Sequence, residues 1–332
     1  MKTERIIVDP DAPDPRAIAR CAEVLLRGGL VAFATETVYG LGALADDERA
    51  ARSIFAAKGR PSHNPLISHL ADTAAARALA PVWSAEADAL AAAFWPGPLT
   101  IVVPKAPSIA PVVCAGLEAM SLRVPAHTVA QALLRAVGRP VAAPSANRSN
   151  QLSPTTADHV LQQLDGRIDV VLDAGPCSVG LESTVIDLCS SPPTLLRPGR
   201  ITADELSRVV GPVAARSAVV AHGVARASPG LDAKHYAPYA RLEVLSWPEL
   251  RARLSAVTTK TGVVTVGDRG VSPSESLVVR ALSSDPAEYG AALYEALHAL
   301  DDRGCQWILC ERVPDGGAWD AARDRLSRAS AK

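Results

Sequence analysis

At 332 residues the chain is long enough for two domains, and its 48% apolar content supplies material for buried cores, while 21% charged residues exclude a disordered polyampholyte. A net charge of −1 excludes a global basic field for nucleic acid or an anionic membrane, so any RNA contact must come from a local patch. Aromatic residues, at 4%, are too few for a row of stacking platforms along a single strand.

The chain opens through Ile6-Ile7-Val8 into Asp9-Pro10, an apolar run far too short for a signal-peptide core, and no segment is long enough to span a bilayer. The 6 cysteines (Cys21, Cys114, Cys177, Cys189, Cys305 and Cys310) are scattered, with no C-x-x-C pair. Reduced thiols, a cytoplasmic location and no membrane contact are the expectation. Residues 30–34 read as a buried strand, and 48–57 as a helix closed by Gly59 and Pro61. A second helix over 84–95 has Ser84 as its N-cap and Pro96-Gly97-Pro98 as its stop. Strands are predicted at 99–103, 121–124, 140–143, 170–173, 184–188 and 194–196, with helices at 128–137 and 155–164. Thr202-Ala203-Asp204-Glu205 has capping-box form and opens a further helix. The periodicity lapses over 211–240, a length that marks a linker or a functional loop. Beyond it come a strand at 242–245, a helix at 248–256, strands at 262–266 and 277–282, a helix at 286–303, a strand at 306–310 and a terminal helix from Trp319. Strands alternating with helices throughout define an α/β protein.

Gly40-Leu41-Gly42-Ala43-Leu44-Ala45 fits G-x-G-x-x-A, but the ribose-binding acid about 20 residues later is missing, and no Walker pattern occurs. The glycines therefore read as a tight turn that lets backbone approach closely, either beside ligand-facing Thr35 and Thr37 or as an ordinary strand-loop turn. Lys58 and Arg60 put two cations two residues apart in a stretch kept out of regular helix by Gly59 and Pro61. Phosphate oxygens are charged acceptors, so such cations beside small donors suit a polyphosphate, although a solvated helix end has the same look. His63, Asn64 and His69 follow, with Asn64-Pro65 a turn and His69 at a strand end. Pro144-Ser145-Ala146-Asn147 offers a hydroxyl and an amide, as a donor loop or a plain turn. Arg123 lies between apolar residues on a strand and needs an anion, which a bound carboxylate would supply. Arg197 repeats the strand-end cation before Pro198-Gly199. Cations from distant parts of the chain predict one converging anion site.

Thr35-Glu36-Thr37-Val38-Tyr39-Gly40-Leu41-Gly42, Lys58-x-Arg60-Pro61, Asn64-Pro65-Leu66, Trp95-Pro96-Gly97-Pro98-Leu99-Thr100, Pro144-Ser145-Ala146-Asn147 and Ser183-Thr184-Val185-Ile186-Asp187 together resemble the threonylcarbamoyl-AMP synthase (YrdC-like) family. Ser228-Pro229-Gly230 through His235-Tyr236-Ala237-Pro238 resembles the linker of its long, two-domain form, and Asp324-Arg325-Leu326 falls where its last helix is expected. The resemblance implies a twisted mixed-sheet α/β domain with a central cavity over 1–212, a linker over 213–240 that folds over the active site, and a smaller Rossmann-like α/β domain over 241–332. It implies that L-threonine, bicarbonate or CO2, and ATP with Mg2+ yield threonylcarbamoyl-AMP and pyrophosphate. The product would pass to a transferase that modifies tRNA, and weak RNA binding is a further expectation. Lys58 and Arg60 would be catalytic. With Asn64, Ser145, Asn147, Ser153, Arg197, His235 and Tyr236 they would bind ATP, and Thr35, Thr37, His69, Arg123 and Ser183 would hold threonine. No protein-borne metal site is implied. The chain departs from the family pattern at Asn150, where the family has Gly, and at Leu231-Asp232-Ala233-Lys234 of the linker. Two other readings are an O-carbamoyltransferase of related fold, set apart by its use of carbamoyl phosphate, and a non-catalytic double-stranded-RNA-binding module, set apart by steep salt dependence without ATP turnover.

Overall fold

The computed structural model describes residues 2–215 and 236–331; the expectations for His235 and for the course of most of the linker lie outside them. In chain order the strands are β1 (Glu4–Ile7), β2 (Val31–Phe33), β3 (Gly40–Leu44), β4 (Ile67–His69), β5 (Leu99–Pro104), β6 (Ala119–Arg123), β7 (Val141–Ala142), β8 (Val170–Asp173), β9 (Thr184–Asp187), β10 (Thr194–Arg197) and β11 (Ala214–Ala215). They form an 11-stranded mixed sheet in the order β1-β8-β2-β3-β7-β4-β6-β5-β9-β10-β11. β12 (Arg241–Leu245), β13 (Thr261–Val266), β14 (Leu277–Leu282) and β15 (Trp307–Glu311) form a second, parallel sheet in the order β12-β15-β13-β14. The expected α/β class is borne out, with a large mixed sheet followed by a smaller Rossmann-like one.

The helices obey their predicted punctuation. Helix Glu48–Lys58 starts at Asp47, whose side chain accepts from Ala50 N, and stops at Gly59 with φ 62°, the left-handed region that a β-carbon disfavours. Thr202 and Glu205 close a reciprocal capping box on helix Ala203–Val210. Helix Pro15–Leu26, absent from the predicted elements, buries Ile18, Cys21, Ala22, Val24 and Leu25 and packs against helix Thr128–Val137. None of the described helices is long and apolar enough to cross a membrane.

One expectation needs correction. Gly40 to Leu44 is not a turn but a wholly buried strand, antiparallel to both β2 and β7. The glycines serve close approach instead: a β-carbon on Gly42 would lie 3.0 Å from Phe33 Cε1 and 3.1 Å from Val141 Cγ1. Two-sided burial, not a turn, explains the missing side chains.

Register brings strand ends together. β4 and β6 are parallel, with His69 opposite Arg123. β5 runs antiparallel to β6 and parallel to β9, so Leu99 and Thr184 begin where β6 ends. β10 returns antiparallel to β9 with a register shift between Leu195 and Arg197, a bulge that re-aims Arg197 beside Ser183. One edge of the sheet thus collects His69, Arg123, Thr100, Ser183 and Arg197.

The two units share a core. Val38, Leu152 and Leu181 of the first pack with Tyr289, Leu293, Tyr294 and Leu297 on helix Pro286–Asp302 of the second. Gly180 is needed there, since a β-carbon would sit 2.4 Å from Ala291 O.

Candidate active site

Charged and hydroxyl side chains predicted from separate motifs are buried and meet along the strand ends. Lys58, Arg60, Arg123 and Arg197 are each under 9% exposed, so none is a solvated surface cation. Burying a guanidinium or ammonium costs several kcal/mol unless acceptors surround it, and each has them. Arg123 Nη1 donates to Thr37 Oγ1 at 2.9 Å and Nε to Gly97 O at 3.3 Å. Thr37 Oγ1 lies 2.8 Å from Thr35 Oγ1, which donates to Val38 O at 2.7 Å. Burial and the Arg123 guanidinium push His69 down to about 3, so its imidazole is neutral. Its Nδ1 stands 3.1 Å from Ile67 O.

Arg197 is directed at the neighbouring strand. Its Nε donates to Ser183 O at 3.0 Å and Nη2 to Ser183 Oγ at 3.0 Å, while Ser183 Oγ lies 2.7 Å from Thr100 Oγ1. Burial holds Arg197 below the usual arginine range, with Tyr236 opposing that effect.

At the other end of β4, Arg60 Nη2 donates to Asn64 Oδ1 at 2.6 Å and to Pro65 O at 2.8 Å. Lys58 Nζ donates to Ser145 O at 2.5 Å, to Asn147 O, and to Asn147 Oδ1 at 3.2 Å. Asn147 Nδ2 in turn donates to Arg148 O at 2.9 Å and Gln151 O at 2.7 Å. Lys58 and Asn147 are therefore organisers of the 145–151 loop, and Ser145 Oγ closes the set on Asn147 Oδ1 at 2.5 Å. Burial and the nearby Arg60 hold the Lys58 ammonium well below its ordinary pKa, a state that an incoming polyanion would reverse. At ~3.3 Å per residue, the two steps from one end of three-residue β4 to the other span about 7 Å. Segment 35–41 joins them, with Ala146 N donating to Tyr39 O at 2.8 Å and Leu41 N to Pro144 O at 2.7 Å.

Asn150 has φ 69°, the left-handed region. The departure from Gly at this position thus keeps the backbone, because Asn is the side chain that tolerates it best. Asn150 O accepts from Ala237 N at 3.0 Å, tying the loop to the chain just past the linker.

Several residues here have no role predicted from the sequence. Glu36 lies 2.7 Å from Arg123 Nη2, close enough for an ion pair but not aligned for a hydrogen bond, so both carboxylate oxygens and Nη2 lack one. Glu182 accepts from Ser153 Oγ, from Tyr294 Oη at 3.3 and 3.2 Å, and from Arg325 Nε at 2.7 Å. Adjacency to Thr37 and Ser183 in the motifs was the available pointer to the two acids. Both other residues come from the far unit: Arg325 was marked only as part of the resembling last helix, with no role, and nothing local marks Tyr294. A cavity of about 160 Å³ between the units is lined by Leu181, Gly199, Arg200, Thr202 and Pro286 among others, and contains none of the predicted site residues.

A mixed α/β fold whose strand ends gather buried guanidiniums, an ammonium and small hydroxyls has the chemistry suited to a small anionic ligand. The family model Sua5_yciO_yrdC, described as telomere recombination, matches residues 23–199, and the model Sua5_C, described as the C-terminal domain of threonylcarbamoyl-AMP synthase, matches residues 201–331. The chain is 41% identical over 319 residues to the threonylcarbamoyl-AMP synthase of Pyrococcus abyssi (strain GE5 / Orsay), covering 93% of this chain and 92% of that one. It is 40% identical over 341 residues to the threonylcarbamoyl-AMP synthase of Bacillus subtilis (strain 168), covering 99% and 98%. The crystal structure of P. abyssi Sua5 complexed with L-threonine superposes with a TM-score of 0.90 at 39% identity, covering 99% of this chain and 98% of that one. The chain belongs to the Sua5/YrdC family of threonylcarbamoyl-AMP synthases.

Proposed function

We propose that this chain is an L-threonylcarbamoyladenylate synthase, a nucleotidyltransferase that forms threonylcarbamoyl-AMP and pyrophosphate from L-threonine, bicarbonate or CO2, and ATP, for threonylcarbamoyl-adenosine modification of tRNA. The observation that carries the reading is the buried run Thr37–Arg123 and Ser183–Arg197 along one sheet edge, in a chain about 40% identical to such synthases over nearly its whole length. In this reading residues 1–212 perform the chemistry, 213–240 link, and 241–332 form the second unit.

Arg123 takes the threonine carboxylate, with neutral His69, Thr35, Thr37 and Ser183 around the rest of the amino acid. A neutral imidazole adds a polar contact without a second charge to repel the ammonium. The threonine ammonium gives up a proton. Its amine adds to CO2 and sheds a second proton, or to bicarbonate with loss of water, to give the carbamate. A carbamate oxygen then attacks the α-phosphorus as pyrophosphate leaves. Arg60, held on Asn64, and Lys58 with its Ser145–Asn147 loop face the triphosphate; Arg197, Ser153, His235 and Tyr236 belong to the nucleotide end. Positioning and fixed positive charge supply the catalysis, and no covalent nucleophile is required. ATP enters with Mg2+ as part of the substrate, and the two buried acids of the site, Glu36 and Glu182, pair with Arg123 and Arg325. The adenylate passes to a separate tRNA-modifying transferase, in the cytoplasm.

Mass analysis of the product formed from ATP, threonine and bicarbonate tests this. The expected species is threonylcarbamoyl-AMP with one pyrophosphate per turnover. Turnover of carbamoyl phosphate instead, without a need for threonine, would replace the reading by an O-carbamoyltransferase.

A further inference from the structure

We propose that Arg325, on the last helix of the second unit, is a positioning residue that holds the nucleotide end of the site in shape. This rests on the synthase reading only for the identity of the ligand. The geometry is independent of it.

Arg325 lies on helix Asp320–Ala329 and is 1% exposed, the largest of the fully buried side chains. Its guanidinium is committed in every direction. Nε donates to Glu182 Oε2 at 2.7 Å, Nη1 to Asp324 Oδ2 at 2.6 Å, and Nη2 to Pro198 O at 3.1 Å. Its carbon centre stands 5.1 Å over the Tyr236 ring, in cation–π range. Three of the four partners reach a residue of the site; the fourth, Asp324, pairs with Arg328 on the same helix. Glu182 precedes Ser183 and accepts from Ser153; Pro198 follows Arg197; Tyr236 is itself a predicted nucleotide contact, held at φ 61°.

Charge makes this more than a tether. Glu182 is a buried acid within the field of two guanidiniums, Arg325 and Arg197. Burial alone would raise its carboxyl, but the two cations and Ser153 outweigh burial and keep it ionised. By occupying Oε2, Arg325 keeps Glu182 turned toward the second unit, while Arg197 donates to Ser183. Without Arg325 the buried carboxylate needs another cation, and Arg197 is at hand. Arg197 would then turn from the ligand side, and Tyr236 would lose the cation over its ring. The second unit thereby completes a site whose other residues lie in the first unit and the linker.

The test is calorimetric titration of ATP, and separately of threonine, into the full-length chain and its Arg325→Met and Arg325→Lys variants. The expected result is at least a tenfold loss of ATP affinity in Arg325→Met, with threonine affinity changed less. Arg325→Lys, which keeps the charge and loses the fork, should fall between; it is read in the same way should the methionine variant not fold. Unchanged ATP affinity in a folded variant, or equal losses for both ligands, would overturn the proposal. Failure of the synthase reading would show separately, as wild-type protein that releases no threonine-dependent pyrophosphate.

Discussion

His69 and Arg123 face each other across the parallel pair β4–β6, and the guanidinium joins burial in keeping the imidazole uncharged. The pair therefore carries a single positive charge where a sheet of mixed direction brings the end of one strand beside the start of the next. Glu36 lies 2.7 Å from the same guanidinium, so a carboxylate docking there meets a neutral ring and a cation it must share with that acid. Under the proposed function this is where the amino acid's carboxylate is received.

The titration of His69 should be visible in stability. An unfolded histidine binds its proton near 6.5, whereas the folded chain holds His69 neutral down to about 3. His298, stacked on His159 at 3.8 Å, is pushed to about 4. Both folded values lie below the unfolded one, so stability is complete above about pH 6.5 and declines as acid is added through that window. Each group contributes at most about 1.4 kcal/mol per pH unit. The urea midpoint should fall between pH 7 and 4, and His298→Gln should flatten the slope. A midpoint independent of pH across that range would contradict the buried neutral state.

Arg123→Ala should raise the threonine requirement more than the ATP requirement. A charge-assisted contact is worth about 1.5–3 kcal/mol, so a rise on the order of ten- to a hundredfold in KM for threonine is expected. Steady-state pyrophosphate release with each substrate varied in turn measures both. Equal effects would remove the assigned role.

Lys58→Ala and Arg60→Ala should each abolish threonine- and bicarbonate-dependent pyrophosphate release, for different reasons. Loss of Lys58 strips Ser145 O, Asn147 O and Asn147 Oδ1 of their shared donor, so the 145–151 loop loses its shape along with the charge. Unsatisfied buried acceptors cost about 1–3 kcal/mol each, and a lowered thermal midpoint should accompany the loss. Arg60 is anchored by its own turn, and its removal should cost less stability. An intact rate in either variant takes that residue out of the chemistry.

Gly199→Ala probes the Ser183 backbone without touching a charge. A β-carbon there would lie 2.3 Å from Thr184 N and 2.7 Å from the Ser183 carbonyl carbon, so backbone must move. Overpacking of this kind costs about 1–3 kcal/mol. Displacing Ser183 should weaken threonine binding, as titration calorimetry of the folded variant would show. Unaltered affinity would mean that Ser183 lies outside the pocket.

Much of this molecule was legible before any coordinates. Capping residues, glycine stops and apolar runs are local codes, so helix Thr128–Val137 and strands Val170–Asp173 and Leu277–Leu282 fall where periodicity put them. The motif residues Lys58, Arg60, Arg123, Ser145, Asn147, Ser183 and Arg197 stood out because charge or hydroxyl beside Gly, Pro or an apolar run is locally anomalous. Gly40 and Gly42 misled, since absence of a β-carbon reads the same in a turn as in a strand pressed on both faces.

The sequence by itself determined the α/β class, many of the elements and the side chains able to meet an anion, because each is set by neighbours a few residues away. The tertiary structure alone decided which of those side chains meet. Strand register places His69 opposite Arg123, the bulge before Arg197 brings it to Ser183, and a helix over 140 positions downstream delivers Arg325 to Glu182. Burial is the physical reason: a charge withdrawn from water must find its partner wherever the folded chain offers one, and that distance is invisible along the sequence.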